Sequence, residues 1–128
     1  MRIAHIAIRV DDLESASEFY QHALGMRPVR EGHVRDHYSR HLTDGNLDIA
    51  LIRYDRGADS REATASGGGP CIHHFGFCVD DVETWREKVT AMGCEILSDP
   101  DVIPVKFRAP GGIVMEFAPR KHFDLEAR

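Results

Sequence analysis

Residues Ile3–Ser15, IAHIAIRVDDLES, lie over Ile72–Thr84, IHHFGFCVDDVET, and six of the thirteen positions match: Ile, His, Val, Asp, Asp and Glu. The two stretches stand 69 residues apart in a chain of 128. That spacing is too long for a solenoid unit and close to half the chain, so it points to a duplicated module. A shared strand-to-helix junction accounts for Val-Asp-Asp. It does not account for His5 recurring as His74.

Each module opens on a strand. Ile6, Ile8 and Val10 alternate with His5, Ala7 and Arg9, as Phe75, Phe77 and Val79 alternate with His74, Gly76 and Cys78. A helix follows in both. Asp11 with Glu14, and Asp80 with Glu83, read as the N-cap and N3 positions of a capping box. Apolar residues then recur at helical spacing (Leu13, Ala16, Phe19, Tyr20, Ala23, Leu24; Val82, Trp85, Val89, Met92), and Gly25 and Gly93 close the helices. Strands are expected at 27–31, 36–43 and 47–54, then at 94–98, 104–109 and 113–118, with turns at Asp44-Gly45-Asn46 and Pro110-Gly111-Gly112. The module is therefore β-α-β-β-β, used twice. Module one spans 1–54 and module two 71–118. Residues 55–70 have the composition of a mobile linker, with no capped helix and no phosphate-loop lysine, and 119–128 form a tail. Units of about 60 residues are marginal alone, so the two are expected to share a core.

Strand alternation sorts the chemistry. The aliphatic and aromatic set of each first strand packs on the helices, which turns His5 and His74 to the opposite face. In the last strand, Met115 and Phe117 match the helix-facing set and leave Glu116 with the histidines. Two histidines and a glutamate converging in the concavity of a sheet make a 2-His-1-carboxylate set with open coordination positions. His73 is expected to face the helices. Laying the first hairpin over the second by their turns puts Glu116 over Ala50, which cannot ligate; Asp48, on the same face, is a further candidate, directly or through a water. Lys106 and Arg108 alternate on one strand, Arg9 shares the His5 face, and Tyr54 shares that of Ala50. His41 sits on a strand of module one. Lys106, Arg108 and Arg9 are the candidate substrate-binding cations, suited to an anionic, oxygen-bearing small molecule. Glu116, His41 and Tyr54 are the candidate proton-transfer residues.

The residues so placed resemble the vicinal oxygen chelate superfamily, the glyoxalase, bleomycin resistance and dioxygenase family. The likeness runs over 1–120 through Ile-Ala-His-Ile-Ala-Ile-Arg-Val-Asp-Asp-Leu, Glu-Phe-Tyr-Gln-His-Ala-Leu-Gly-Met, His-Phe-Gly-Phe-Cys-Val-Asp-Asp and Ala-Pro-Gly-Gly-Ile-Val-Met-Glu-Phe. It implies an α+β fold of two βαβββ modules forming a cupped mixed sheet in one domain. It implies one divalent metal ion (Ni, Co, Zn, Mn or Fe) on His5, His74 and Glu116. Ala50 stands where glyoxalase I has Glu and methylmalonyl-CoA epimerase has Gln, so the set is one ligand short of either. A three-ligand site is the pattern of extradiol dioxygenases, but their C-terminal signature has a His upstream and a Tyr where this chain has Lys106.

An open divalent ion that binds vicinal oxygens acidifies an adjacent C–H. Isomerase, epimerase or lyase chemistry by proton transfer is the expected function, Fe(II)-dependent dioxygenation the alternative, and a non-catalytic small-molecule binding or resistance protein the third. Retention of His5, His74 and Glu116 argues against the third. A net charge of −5 makes nucleic acid a poor partner, and no apolar run approaches a membrane span. The N-terminus lacks a signal-peptide pattern, and three cysteines without a CxxC pair fit reduced thiols, so a cytoplasmic location is expected. The resemblance also implies a homodimer.

Overall fold

The computed structural model describes residues 1–126. Its strands and helices are β1 (Arg2–Arg9), α1 (Leu13–Glu18), β2 (Arg27–Val34), β3 (His37–Thr43), β4 (Asp48–Tyr54), α2 (Arg61–Thr64), β5 (Cys71–Val79), α3 (Val82–Ala91), β6 (Glu95–Ile96), β7 (Val105–Arg108) and β8 (Val114–Pro119). All eight strands form one mixed sheet in the order β2-β3-β4-β1-β5-β8-β7-β6. β1 and β5 pair antiparallel at its centre, and each pairs parallel with the last strand of its own module, β4 or β8. The βαβββ modules thus join through their first strands into one sheet. The α+β expectation holds.

The cores lie between sheet and helices. In module one Leu13, Leu42 and Leu51 pack with Ile8, Val10, Ala16 and Tyr20; in module two Phe77, Phe107 and Phe117 pack with Trp85 and Val89. Among these, Ile8, Val10, Phe77 and Phe117 belong to the set that alternation assigned to the helix face. Gly25 and Gly93 take φ of +71° and +85° where the helices end, a left-handed conformation that favours glycine. After Glu18, α1 widens into a π-helical turn over Phe19–Ala23. Among the described residues no helix is long and apolar enough to cross a membrane.

Three local expectations are corrected. The helix caps are Asp12 and Asp81, not Asp11 and Asp80: Asp12 and Asp81 have extended backbone, and their carboxylates accept from Ser15 N and Glu83 N. The segment 55–70 contains a turn of helix, α2, capped by Ser60, with Ala63 buried. Its tether is non-local, since Arg9 donates to the carbonyls of Ala63 and Gly67, and Arg108 to that of Ala65. Composition alone could not show those partners.

The third correction concerns His73. The β1–β5 register slips twice: Ile3 pairs with Phe77 but His5 with Gly76, and Ala7 pairs with His74 but Ile8 with Ile72. The extra residues are Ala4 and His73, which stand 69 apart and each precede a histidine of the repeat. A β-bulge breaks the period of two and turns its extra residue out of strict alternation. His73 therefore does not face the helices. Its ring lies 5.6 Å from that of Tyr54, and its Nδ1 is 2.8 Å from His74 Nδ1.

Candidate metal centre

β1, β5 and β8 deliver His5, His74 and Glu116 from the three central strands, all buried. His5 Nε2 lies 3.3 Å from His74 Nε2 and 3.4 Å from Glu116 Oε2, and His74 Nε2 lies 3.0 Å from Glu116 Oε1. The three donors converge within one chain. Gly76 makes the approach possible: a Cβ there would meet Glu116 Cγ at 2.9 Å and His5 Cδ2 at 3.3 Å.

A buried carboxylate needs compensation. Burial would raise the Glu116 carboxyl, but the Lys106 ammonium, with His74 and His5, holds it well below the usual carboxylate range. Lys106 Nζ sits 2.9 Å from Glu116 Oε1 and 2.8 Å from Glu62 Oε1 of α2. Burial would lower the ammonium, and Glu116 and Glu62 outweigh it. Lys106 thus stays charged between two carboxylates, and the inter-module helix braces the site. Glu116 Oε1 meets Lys106 Nζ and His74 Nε2 as close ion-pair contacts and has no hydrogen bond of good geometry among the described residues.

For His5, the neighbouring carboxylate fixes which nitrogen carries a proton. Asp48 is wholly buried; burial would raise its carboxyl, but hydrogen bonds from His41 and His5 lower it strongly. An ionised carboxylate only accepts. His5 Nδ1, 2.6 Å from Asp48 Oδ2, therefore donates to it and leaves a lone pair on Nε2 when the ring is neutral. Asp48 reaches His5 from the side away from His74 and Glu116. On the other side, burial pushes His74 and His73 down to about 4. The ligating form of His74 carries its proton on Nδ1, donated to His73 Nδ1 2.8 Å away, and the His73 proton then lies on Nε2, which is buried without a hydrogen bond among the described residues.

The repeat is exact in frame and unequal in content. Gly76 pairs with Glu116 as Ala7 pairs with Ala50, and Ala7 and Gly76 are 69 apart, so Ala50 is the register equivalent of Glu116. The cavity over this face is about 180 Å³ and is lined by His5, His74, Glu116, Ala50, Asp48, His41, Tyr54 and Lys106, among others. Arg9 and Arg108 do not line it. Arg9 packs on the outer side of Tyr54, 4.9 Å from its ring, and Arg108 turns to the Gly112 carbonyl and Glu95. Both sit at strand ends, where a guanidinium reaches loop carbonyls more readily than the cup.

Several cavity residues were missed in the sequence. His37 and Ser39 share the cavity with His41. Period-two alternation from His41 was signal enough for both. His122 and Phe123 had none, because both arrive from the tail outside the modules; nor had Glu62, which touches the site through Lys106 from the inter-module segment. The tail forms a 3-10 turn over Arg120–Phe123, and Phe123 is buried, its ring stacked 5.1 Å from that of His5. Arg30 ties the tail down by donating to the carbonyls of Asp124 and His122. The last two positions of the expected tail, 127–128, lie outside the described residues.

The residues fit a divalent ion. Two imidazole nitrogens face each other at 3.3 Å beside a buried carboxylate oxygen with no hydrogen bond of good geometry among the described residues, an arrangement satisfied by a cation accepting all three lone pairs. His5, His74 and Glu116 offer ligand atoms within 4.8 Å of one another.

Comparison with known proteins agrees with this fold. Residues 2–117 match the model of the glyoxalase/bleomycin resistance protein/dioxygenase superfamily. A probable chloroplastic lactoylglutathione lyase of Arabidopsis thaliana is 31% identical over 110 residues, covering 82% of this chain and 29% of that protein. The lactoylglutathione lyase of Haemophilus influenzae is 28% identical over 137 residues, covering 94% of each. The crystal structure of methylmalonyl-CoA epimerase from Mycobacterium tuberculosis superposes with a TM-score of 0.68 over 96% of this chain and 92% of that one, at 20% identity. The last likeness is one of fold.

Proposed function

Because the chain belongs to the glyoxalase/bleomycin resistance protein/dioxygenase superfamily, we propose that it is a divalent-metal-dependent, glyoxalase-like lyase or isomerase. Its substrate is a small anionic molecule with adjacent oxygens, of the acyl thioester or hydroxy acid kind, and its reaction is proton transfer at the carbon beside a carbonyl. The observation that carries this reading is the convergence of His5 Nε2, His74 Nε2 and the Glu116 carboxylate on one buried point.

His5, His74 and Glu116 hold the ion, which is nickel, cobalt, zinc, manganese or iron. When bound, it supplies Lewis acidity, stabilising negative charge on substrate oxygens as the α-proton leaves. Asp48 and His73 keep the two imidazoles in the ligating tautomers. Lys106 is the cation beside the ligands, held by Glu62 so that its ammonium adds positive potential next to Glu116. In this reading Arg9 and Arg108 act at a distance from substrate, by fixing the segment that carries Glu62. The assembly is a cytoplasmic homodimer, which light scattering tests.

Two measurements test the reaction class. Protein purified without added metal is expected to carry about one divalent ion per chain by elemental analysis. Supplied with that ion in D2O, it is expected to exchange the α-proton of S-lactoylglutathione or methylmalonyl-CoA for deuterium. No ion under any metal supply overturns the metal site, and no exchange on either thioester overturns the chemistry.

A further inference from the structure

Proton transfer needs a base, and the sequence singles out three candidates in the cup. Glu116 is engaged by His5, His74 and Lys106. Burial pushes the Tyr54 phenol up to about 12, so it keeps its proton at neutral pH. His41 is placed differently.

His41 Nδ1 lies 2.8 Å from Asp48 Oδ1 and 3.0 Å from Oδ2. The carboxylate also takes the His5 Nδ1 proton, and Arg30 stands 3.7 Å from it, so it is ionised and accepts only. The proton of a neutral His41 therefore sits on Nδ1 and the lone pair on Nε2. That nitrogen has no partner among the described residues. The side chain keeps 18% of its surface accessible at the cavity wall, and its ring stands 6.2 Å from the His5 ring. Across the strand pair, His41 is the register partner of Ala50, and both line the cavity.

We propose that His41 is the general base of this enzyme, oriented by Asp48, and that it takes over the part a carboxylate at position 50 would play. The proposal rests on the proton-transfer reading above. In the step, the α C–H bond breaks and its proton goes to His41 Nε2. The electron pair enters the bond to the carbonyl carbon as the carbonyl π pair moves onto oxygen. The imidazolium then returns the proton to carbon, so no external oxidant or reductant takes part. Asp48 is a positioning residue for two imidazoles at once, ligand and base.

The test uses the full-length protein loaded with zinc, in D2O, with S-lactoylglutathione and methylmalonyl-CoA as probes. H41Q is expected to slow α-proton exchange by about 10²- to 10⁴-fold, the usual loss for a general base, with zinc stoichiometry unchanged. Nitrogen-15 spectra of the zinc protein are expected to show His41 as the Nδ1–H tautomer, and D48N to shift it to Nε2–H. Exchange that survives H41Q overturns the base alone, as does an Nε2–H tautomer in the unaltered protein. Zinc binding without exchange on either thioester overturns the reaction class and the base together.

Discussion

The two modules share one backbone plan and divide the chemistry unequally. Module two gives His74 and Glu116; module one gives His5 alone, with Ala50 where the second carboxylate would stand. Module one instead places Asp48 two residues earlier, behind His5 and beside His41. Behind His74 the corresponding support is an imidazole, His73. Duplication therefore preserves the frame, with a bulge before each ligand, while the side chains around it are free to diverge. On the proposed reading, the reaction is set in the half that has Ala50 in place of a carboxylate and His41 at the cavity wall.

The sharpest way to break the comparison is at the paired histidines. His74→Ala removes a donor and is expected to abolish stoichiometric metal binding. His73→Ala removes only the acceptor behind it, and is expected to weaken binding by about 10- to 100-fold, the usual range for an outer-shell partner. Titration of both variants with zinc against a chromophoric chelator reads the difference. If His73→Ala abolishes binding and His74→Ala does not, the roles of the two are reversed.

A second asymmetry is the cover. Phe123 stacks on His5 of module one, and it is buried with Ala4, Cys78 and Ala118. Truncating a buried phenylalanine costs about 3 kcal/mol or more, so Phe123→Ala is expected to lower stability by about 3 kcal/mol in urea unfolding. A change under about 0.5 kcal/mol, the ordinary range for a surface substitution, would mean that the tail does not cover the cup in solution.

Gly76 offers a smaller effect on the same axis. Its register equivalent, Ala7, already carries a Cβ because its neighbour Ala50 is small. Opposite Gly76 stands Glu116, and an added methyl would come within 2.9 Å of its Cγ. Gly76→Ala is expected to cost about 1–3 kcal/mol by overpacking and to weaken metal binding, since the carboxylate must move. Glu116→Ala is expected to lose zinc binding outright and, by leaving buried Lys106 with Glu62 alone, to cost more stability than Gly76→Ala. A thermal melt of the two variants with and without zinc checks both parts.

Much of this was legible in the sequence because it followed a period. The strand faces, the duplicated helix and the meeting of His5, His74 and Glu116 all come from alternation plus the 69-residue repeat. What escaped broke a period or lay outside the modules. The His73 bulge is an extra residue that only strand pairing reveals. Glu62 reaches Lys106, and Phe123 the cup, from segments whose composition says nothing about their destination. Arg9 and Arg108 share strand faces with site residues, but their long side chains are claimed by loop carbonyls.

The helix caps give the finest version of the same lesson. Asp-Asp occurs before both helices, and a glutamate three residues after the first aspartate favours that one as the cap. The structure selects the second aspartate in each module, Asp12 and Asp81, with φ of −122° and −130°. Glu14 and Glu83 then fall at N2, too early to close a capping box. Asp12→Ala and Asp81→Ala are each expected to cost about 1 kcal/mol, and Asp11→Ala and Asp80→Ala to change stability by less than about 0.5 kcal/mol. Equal losses at Asp11 and Asp12 would mean that the cap is shared. A larger loss at Asp11 would restore the capping box and shift the start of α1 by one residue, which the apolar spacing from Leu13 onward does not favour.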